Sequence, residues 1–161
     1  MLAGGPALVA QFYTPLATND AVTVGDAVNA ARLLIGADNG VYESLDSGNT
    51  ITLITPVSPV VRVNAFRGDP IVYGVPGNPG FILLGAGTGV FLRTAASGAP
   101  AQVSTLPATV ADVAVDRDAP ARLFAMTNSA VFFSTDSGAT IPAVTGNLIS
   151  AFNPGTLRTM A

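Results

Sequence analysis

Short apolar runs rich in Val, Ile, Leu and Phe recur along the chain, and Gly, Asn, Pro or Ser closes each of them off. Runs this short, with β-branched and aromatic content, predict strands separated by tight turns. They fall into groups of four. The first group is predicted at residues 21–25, 32–37, 41–45 and 51–55. The second is at 71–74, 81–86, 90–94 and 101–105, and the third at 113–116, 122–127, 131–135 and 141–144. The near-continuous apolar runs at 33–35 and 81–84 suit inner strands covered on both faces.

One stretch also fits a helix. Val24, Ala27, Val28, Ala31, Leu34 and Ile35 fall at helical spacing, and 27–34 has good helix propensity. The corresponding stretches of the other groups carry Pro76, Pro79 and Pro120, which a helix interior does not accept. Repeat register therefore favours strand, loop and strand.

The groups are copies of one another. Leu33-Leu34-Ile35-Gly36-Ala37-Asp38-Asn39-Gly40-Val41-Tyr42 aligns with Ile82-Leu83-Leu84-Gly85-Ala86-Gly87-Thr88-Gly89-Val90-Phe91. It aligns again with Leu123-Phe124-Ala125-Met126-Thr127-Asn128-Ser129-Ala130-Val131-Phe132. The offsets of 49 and 41 residues suit a four-stranded propeller blade, with the difference absorbed in loops. The predicted fold class is all-β: a β-propeller of four-stranded antiparallel blades in an incomplete ring. Residues 1–161 form a single partial propeller with blades at 21–56, 71–107 and 112–145. A strand of a preceding blade is predicted at 7–13 and the first strand of a following one at 156–161. With both edges unfinished, an isolated chain is expected to self-associate.

Two blades share a sharper motif. Ser44-Leu45-Asp46-Ser47-Gly48-Asn49-Thr50-Ile51 returns as Ser134-Thr135-Asp136-Ser137-Gly138-Ala139-Thr140-Ile141. Between the third and fourth strands, the Asp carboxylate can accept backbone N–H groups and Gly can supply a positive φ. The Ser and Thr hydroxyls can tie the strand ends together. These residues and the upstream Gly40-Val41-Tyr42 resemble the Asp-box, or BNR, repeat of sialidase-like β-propellers, whose pattern is Ser-x-Asp-x-Gly-x-Thr-Trp. Ile51 and Ile141 replace the Trp. The second blade has Thr94-Ala95-Ala96-Ser97-Gly98-Ala99-Pro100 with no Asp, so Gly98 and Pro100 alone are expected to hold its turn.

The resemblance implies that Ser44, Asp46, Gly48, Thr50, Ser134, Asp136, Gly138 and Thr140 are structural, on the periphery and away from the ligand-binding face. Its members include sialidases, xyloglucan-cleaving hydrolases, sortilin-type receptors, photosystem assembly factors and bacterial surface proteins. Fold alone does not choose among them.

Composition removes several chemistries. The chain has no Cys, His or Trp, and Arg supplies all 7 of its basic residues. Zinc sites of the usual kind, thiol nucleophiles and His-based triads are excluded. A formal net charge of −3 without a basic cluster argues against nucleic-acid binding. With 49% hydrophobic and 11% charged residues, the chain has the balance of a folded domain. No apolar run approaches the roughly 18 residues of a membrane span. Met1 to Ala10 lacks the pattern of a signal peptide. No cofactor or metal is expected.

A sialidase would require three clustered Arg, a Tyr–Glu pair and an acid/base Asp. The sole Glu, Glu43, adjoins Tyr42 on a predicted strand, which sends the two side chains to opposite faces. Phe66-Arg67-Gly68-Asp69-Pro70 echoes the Phe-Arg-Ile-Pro motif but lacks its ending and follows the first box, so it is set aside. A two-carboxylate glycosidase would draw on Asp69, Asp112, Asp116 and Asp118. The Asp116-x-Asp118 pair reads either as a calcium site or as a polar turn between strands, the turn being the simpler account. Arg67-Gly68-Asp69 is a loop tripeptide of the integrin-binding type, with a solvated loop as its plain reading.

Long connections at 56–70 and 145–155 are where function is expected on a rigid scaffold. They offer Arg62, Asn64, Phe66, Arg67, Asp69, Asn147, Phe152 and Asn153 for contact with a protein or carbohydrate partner. The reading is a non-catalytic structural or binding module of a larger bacterial, exported protein, extracellular or at the cell surface. The alternatives are a fragment of a propeller glycoside hydrolase whose catalytic carboxylates lie partly outside this chain, and a protein-docking propeller of the assembly-factor type.

Overall fold

The computed structural model describes residues 16–19, 32–37, 39–56 and 71–146. Every regular element among them is a strand. The first sheet has the order β1 (Leu16–Asn19), β2 (Arg32–Ala37), β3 (Gly40–Ser44), β4 (Thr52–Thr55). The second repeats it with β5 (Ile71–Val75), β6 (Asn78–Ala86), β7 (Gly89–Arg93) and β8 (Ala101–Thr105). The third has β9 (Asp112–Val115), β10 (Leu123–Met126) and β11 (Val131–Ser134). Every pairing is antiparallel.

Repetition extends to the irregularities. A register shift interrupts β3–β4 between Val41 and Tyr42, and another interrupts β7–β8 between the aligned Val90 and Phe91. Such a bulge sharpens the local twist of an outer strand.

Side-chain alternation on β6 shows how the sheets stack. Ile82 and Leu84 join Leu34, Val41, Ile71 and Tyr73 in a core between the first and second sheets. Phe81 and Leu83 point the other way and join Val113, Leu123, Ala125 and Phe132 between the second and third. A central strand covered on both faces is what the unbroken run at 81–84 requires. The inner strands are neighbours, β1 beside β5 and β5 beside β9, with no comparable contact between the first and third sheets. Among the described residues the result is an open arc of three blades.

Three differences from the sequence reading have local causes. The innermost place in the first sheet belongs to Leu16–Asn19, pairing Leu16 with Ile35 and Ala17 with Leu34. The position expected for 21–25 is thus filled from further upstream, because this connection is longer than its counterparts. Residues 7–13, 21–25 and 156–161 lie outside the described residues, as does most of the helical alternative; Leu34 and Ile35 are on a strand.

In the third sheet the expected strand at 141–144 makes only an isolated bridge, Phe132 to Ala143. Pro142 has no N–H to return to the ladder, although its carbonyl accepts from Phe133 N at 3.1 Å. The Thr145 hydroxyl accepts from Val131 N at 3.0 Å, where a backbone carbonyl would otherwise serve. The third difference, in the second sheet's turn, belongs with the site.

Candidate functional site

Antiparallel order sorts the connections to two ends of the arc. The 45–51 and 135–141 turns share one end with the links from first to second strand. The inter-sheet connection at 106–111 lies at the other, where Leu106 N and Val110 N donate to the Thr88 and Gly87 carbonyls at 2.8 Å each.

The two Ser-x-Asp turns are nearly superimposable in their bonding. Ser44 Oγ donates to Asp46 Oδ1 at 2.9 Å and accepts from Gly48 N at 2.8 Å. Asp46 then accepts from Thr50 N at 2.8 Å and from Thr50 Oγ1 at 2.7 Å. In the third sheet Ser134 Oγ donates to Asp136 at 2.8 Å and accepts from Gly138 N at 2.8 Å. Asp136 accepts from Thr140 N at 2.9 Å and Thr140 Oγ1 at 2.7 Å.

Each turn places two successive residues in the left-handed region: Ser47 at φ 60° before Gly48 at 86°, and Ser137 at 59° before Gly138 at 85°. Donation by the Thr backbone, then by its hydroxyl, holds the Asp46 and Asp136 carboxyls below the usual carboxylate range. Acceptance of this kind leaves both aspartates occupied within their own turns.

In the second sheet the same task is done differently. Ladder register places Arg93 opposite Ile82, where the other sheets have Ser44 opposite Leu33 and Ser134 opposite Leu123. Arg93 therefore stands in the motif's serine position. Its guanidinium donates from Nη1 to the Gly98 carbonyl at 2.8 Å and from Nε to the Gly80 carbonyl at 2.7 Å. Asn78 Nδ2 adds a bond to the Thr94 carbonyl at 2.6 Å. The expectation that Gly98 and Pro100 alone hold this turn is thereby corrected. A charged side chain from the strand below holds it.

That charge is buried, and its partner comes from the neighbouring sheet. Arg93 Nη2 and Nη1 meet Glu43 Oε1 and Oε2 at 2.5 and 3.0 Å, a bidentate pair with side chains 2% and 7% exposed. Tyr73 OH donates to Glu43 Oε1 at 2.6 Å. Burial first, and the hydrogen bond to Glu43 second, push the Tyr73 phenol well above its ordinary range, so it remains a donor. Glu43 does point away from its neighbour Tyr42 in sequence, yet it finds a tyrosine thirty residues on. Neither the Tyr73–Glu43 bond nor the role of Arg93 was visible in the motif. The signal available was a buried-strand arginine standing at the serine's place in the repeat.

Beside Glu43, an open hollow of about 210 Å³ is lined by Leu45, Thr50, Thr52 and Ile54. It falls below the roughly 300 Å³ at which small-molecule pockets begin.

The remaining candidates separate. Asp112 is buried at the start of β9 and accepts from Val113 N at 2.9 Å. Asp116 accepts from Asp118 N at 3.0 Å, Ala119 N at 3.2 Å and Arg122 Nη1 at 3.3 Å, a polar turn whose donors lower its carboxyl. Asp118 is exposed on that turn. Among the described residues no group of three or more His, Cys, Asp or Glu gathers around a metal-sized space. No described helix is long and apolar enough to cross a membrane. Arg62, Asn64, Phe66, Arg67, Asp69, Asn147, Phe152 and Asn153 lie outside the described residues.

Stacked antiparallel sheets of four, four and three strands, with inner strands side by side, define a propeller-type all-β protein. A solved structure agrees. The crystal structure of an ancestral GH74 enzyme, of propeller type, matches with a TM-score of 0.54 and 20% identity, over 87% of this chain. The chain spans 19% of that enzyme's length. At this identity the likeness is one of fold. No protein-family model matches the sequence, and no curated protein does.

Proposed function

We propose that the chain is a segment of an Asp-box β-propeller, serving as a non-catalytic structural and binding module of a larger, exported bacterial protein. The reading rests chiefly on the state of five of the six carboxylates among the described residues. Glu43, Asp46, Asp112, Asp116 and Asp136 each accept hydrogen bonds from the chain itself. A general acid or nucleophile needs an oxygen facing substrate. Under this reading the Ser-x-Asp turns are staples, and contact with a protein or glycan falls to the inter-blade loops at the opposite end. The test is a glycan and glycopeptide array probed with the chain. Binding that is lost on changing Phe66 or Phe152 and retained on changing Asp46 supports the module; binding that tracks Asp46 counts against it.

The likeness to a GH74 enzyme favours one second reading, a fragment of a propeller glycoside hydrolase. Its catalytic carboxylates would lie partly outside this chain, with Asp69 and Asp112 as the candidates within it. Release of sugar from a β-glucan, abolished by Asp69→Asn or Asp112→Asn in a folded protein, would establish it.

A further inference from the structure

Each of the outer two turns closes on its own aspartate, so its hydrogen bonding is a local matter. The second turn closes on Arg93, and an arginine side chain only 2% exposed is stable there only with a counter-charge. The counter-charge is Glu43, on another sheet, fixed in place by Tyr73. We propose that Glu43 and Arg93 form a latch, which makes order in the 94–100 turn conditional on the first sheet's docking against the second.

The chain of contacts is continuous. Docking brings Glu43 over β7; Glu43 holds Arg93 in the seam; Arg93 holds the Gly98 and Gly80 carbonyls. Gly80 shows how closely the turn then sits, since a Cβ built there would lie 2.5 Å from Ala96 Cα. When the first sheet moves away, Arg93 loses its charge partner and gains water as the better neighbour. The Gly98 carbonyl is released with it. The second turn thus reports on a seam that its own sequence does not include.

Backbone ¹⁵N relaxation on the full chain tests this. With Glu43→Gln, order parameters at residues 97–99 should fall from the rigid value of about 0.85 to below about 0.6. Those at residues 136–139 should not change. Unchanged order at 97–99 would overturn the latch. Should Glu43→Gln fail to fold, Glu43→Leu with Arg93→Met replaces the pair by apolar groups of similar size. That variant should keep a dispersed spectrum and a mobile 97–99 turn; a turn as rigid as in the unchanged chain would overturn the proposal.

Discussion

Gly138 lies against Val103: a Cβ built on the glycine would stand 2.7 Å from Val103 Cγ2 and 3.1 Å from Val103 Cβ. The third sheet's turn is therefore seated on the outer strand of the second sheet. Among the described residues Gly48, its counterpart, would meet only Leu33 Cδ1 of its own sheet, at 3.4 Å.

Identical motifs should consequently respond differently to the same change. Gly138→Ala combines a strained positive φ with overpacking, and about 2–4 kcal/mol of destabilisation is expected. Gly48→Ala carries the strain alone, at roughly 1–2 kcal/mol. Urea denaturation of each variant measures the difference, and adding Val103→Ala to Gly138→Ala should recover part of the larger loss.

Ser47 and Ser137 occupy left-handed backbone that a β-branched residue rarely adopts. Ser137→Val should cost about 1–2 kcal/mol, while Ser137→Asn should be close to neutral. Thermal melts of the pair separate backbone strain from loss of a hydroxyl, since both substitutions remove it.

Buried charge should dominate the first seam. Removing one partner, as in Glu43→Gln or Arg93→Met, is expected to cost about 3–5 kcal/mol. Replacing both with apolar residues should cost markedly less, because no charge is then stranded in the core. A double-mutant cycle in urea gives the coupling directly.

Acid should weaken the turns before it disturbs the cores. The Asp46 and Asp136 carboxyls lie below the usual carboxylate range in the folded chain. A group depressed on folding adds stability above its unfolded pKa, and that stability is lost as pH falls through the folded value. The stability gap between the unchanged chain and Asp46→Asn or Asp136→Asn should therefore be constant above about pH 5 and close below about pH 4. Denaturation midpoints measured across that window check the sign.

Strand positions were legible in the sequence because burial on both faces of β6 leaves an unbroken apolar run, and because Leu33, Ile82 and Leu123 share one register. The turn bonding was legible too, since Ser, Asp, Gly and Thr at that spacing have little else to bond. What escaped was long-range. Nothing local to Arg93 announces Glu43 fifty residues earlier, and nothing in Ile141-Pro142-Ala143 shows how far a proline at an outer edge thins the ladder. The upstream source of β1 escaped for a similar reason, because the repeat fixes order and not loop length.

The proposed reading is that the carboxylates of Glu43, Asp46, Asp112, Asp116 and Asp136 serve the fold and not a reaction. Its most direct measurement is sugar release from β-glucan and sialoside substrates by the intact protein, compared with its Asp112→Asn variant at matched folded fraction. No turnover by either protein is the result expected. Turnover that Asp112→Asn abolishes while the circular dichroism spectrum stays unchanged would overturn that reading.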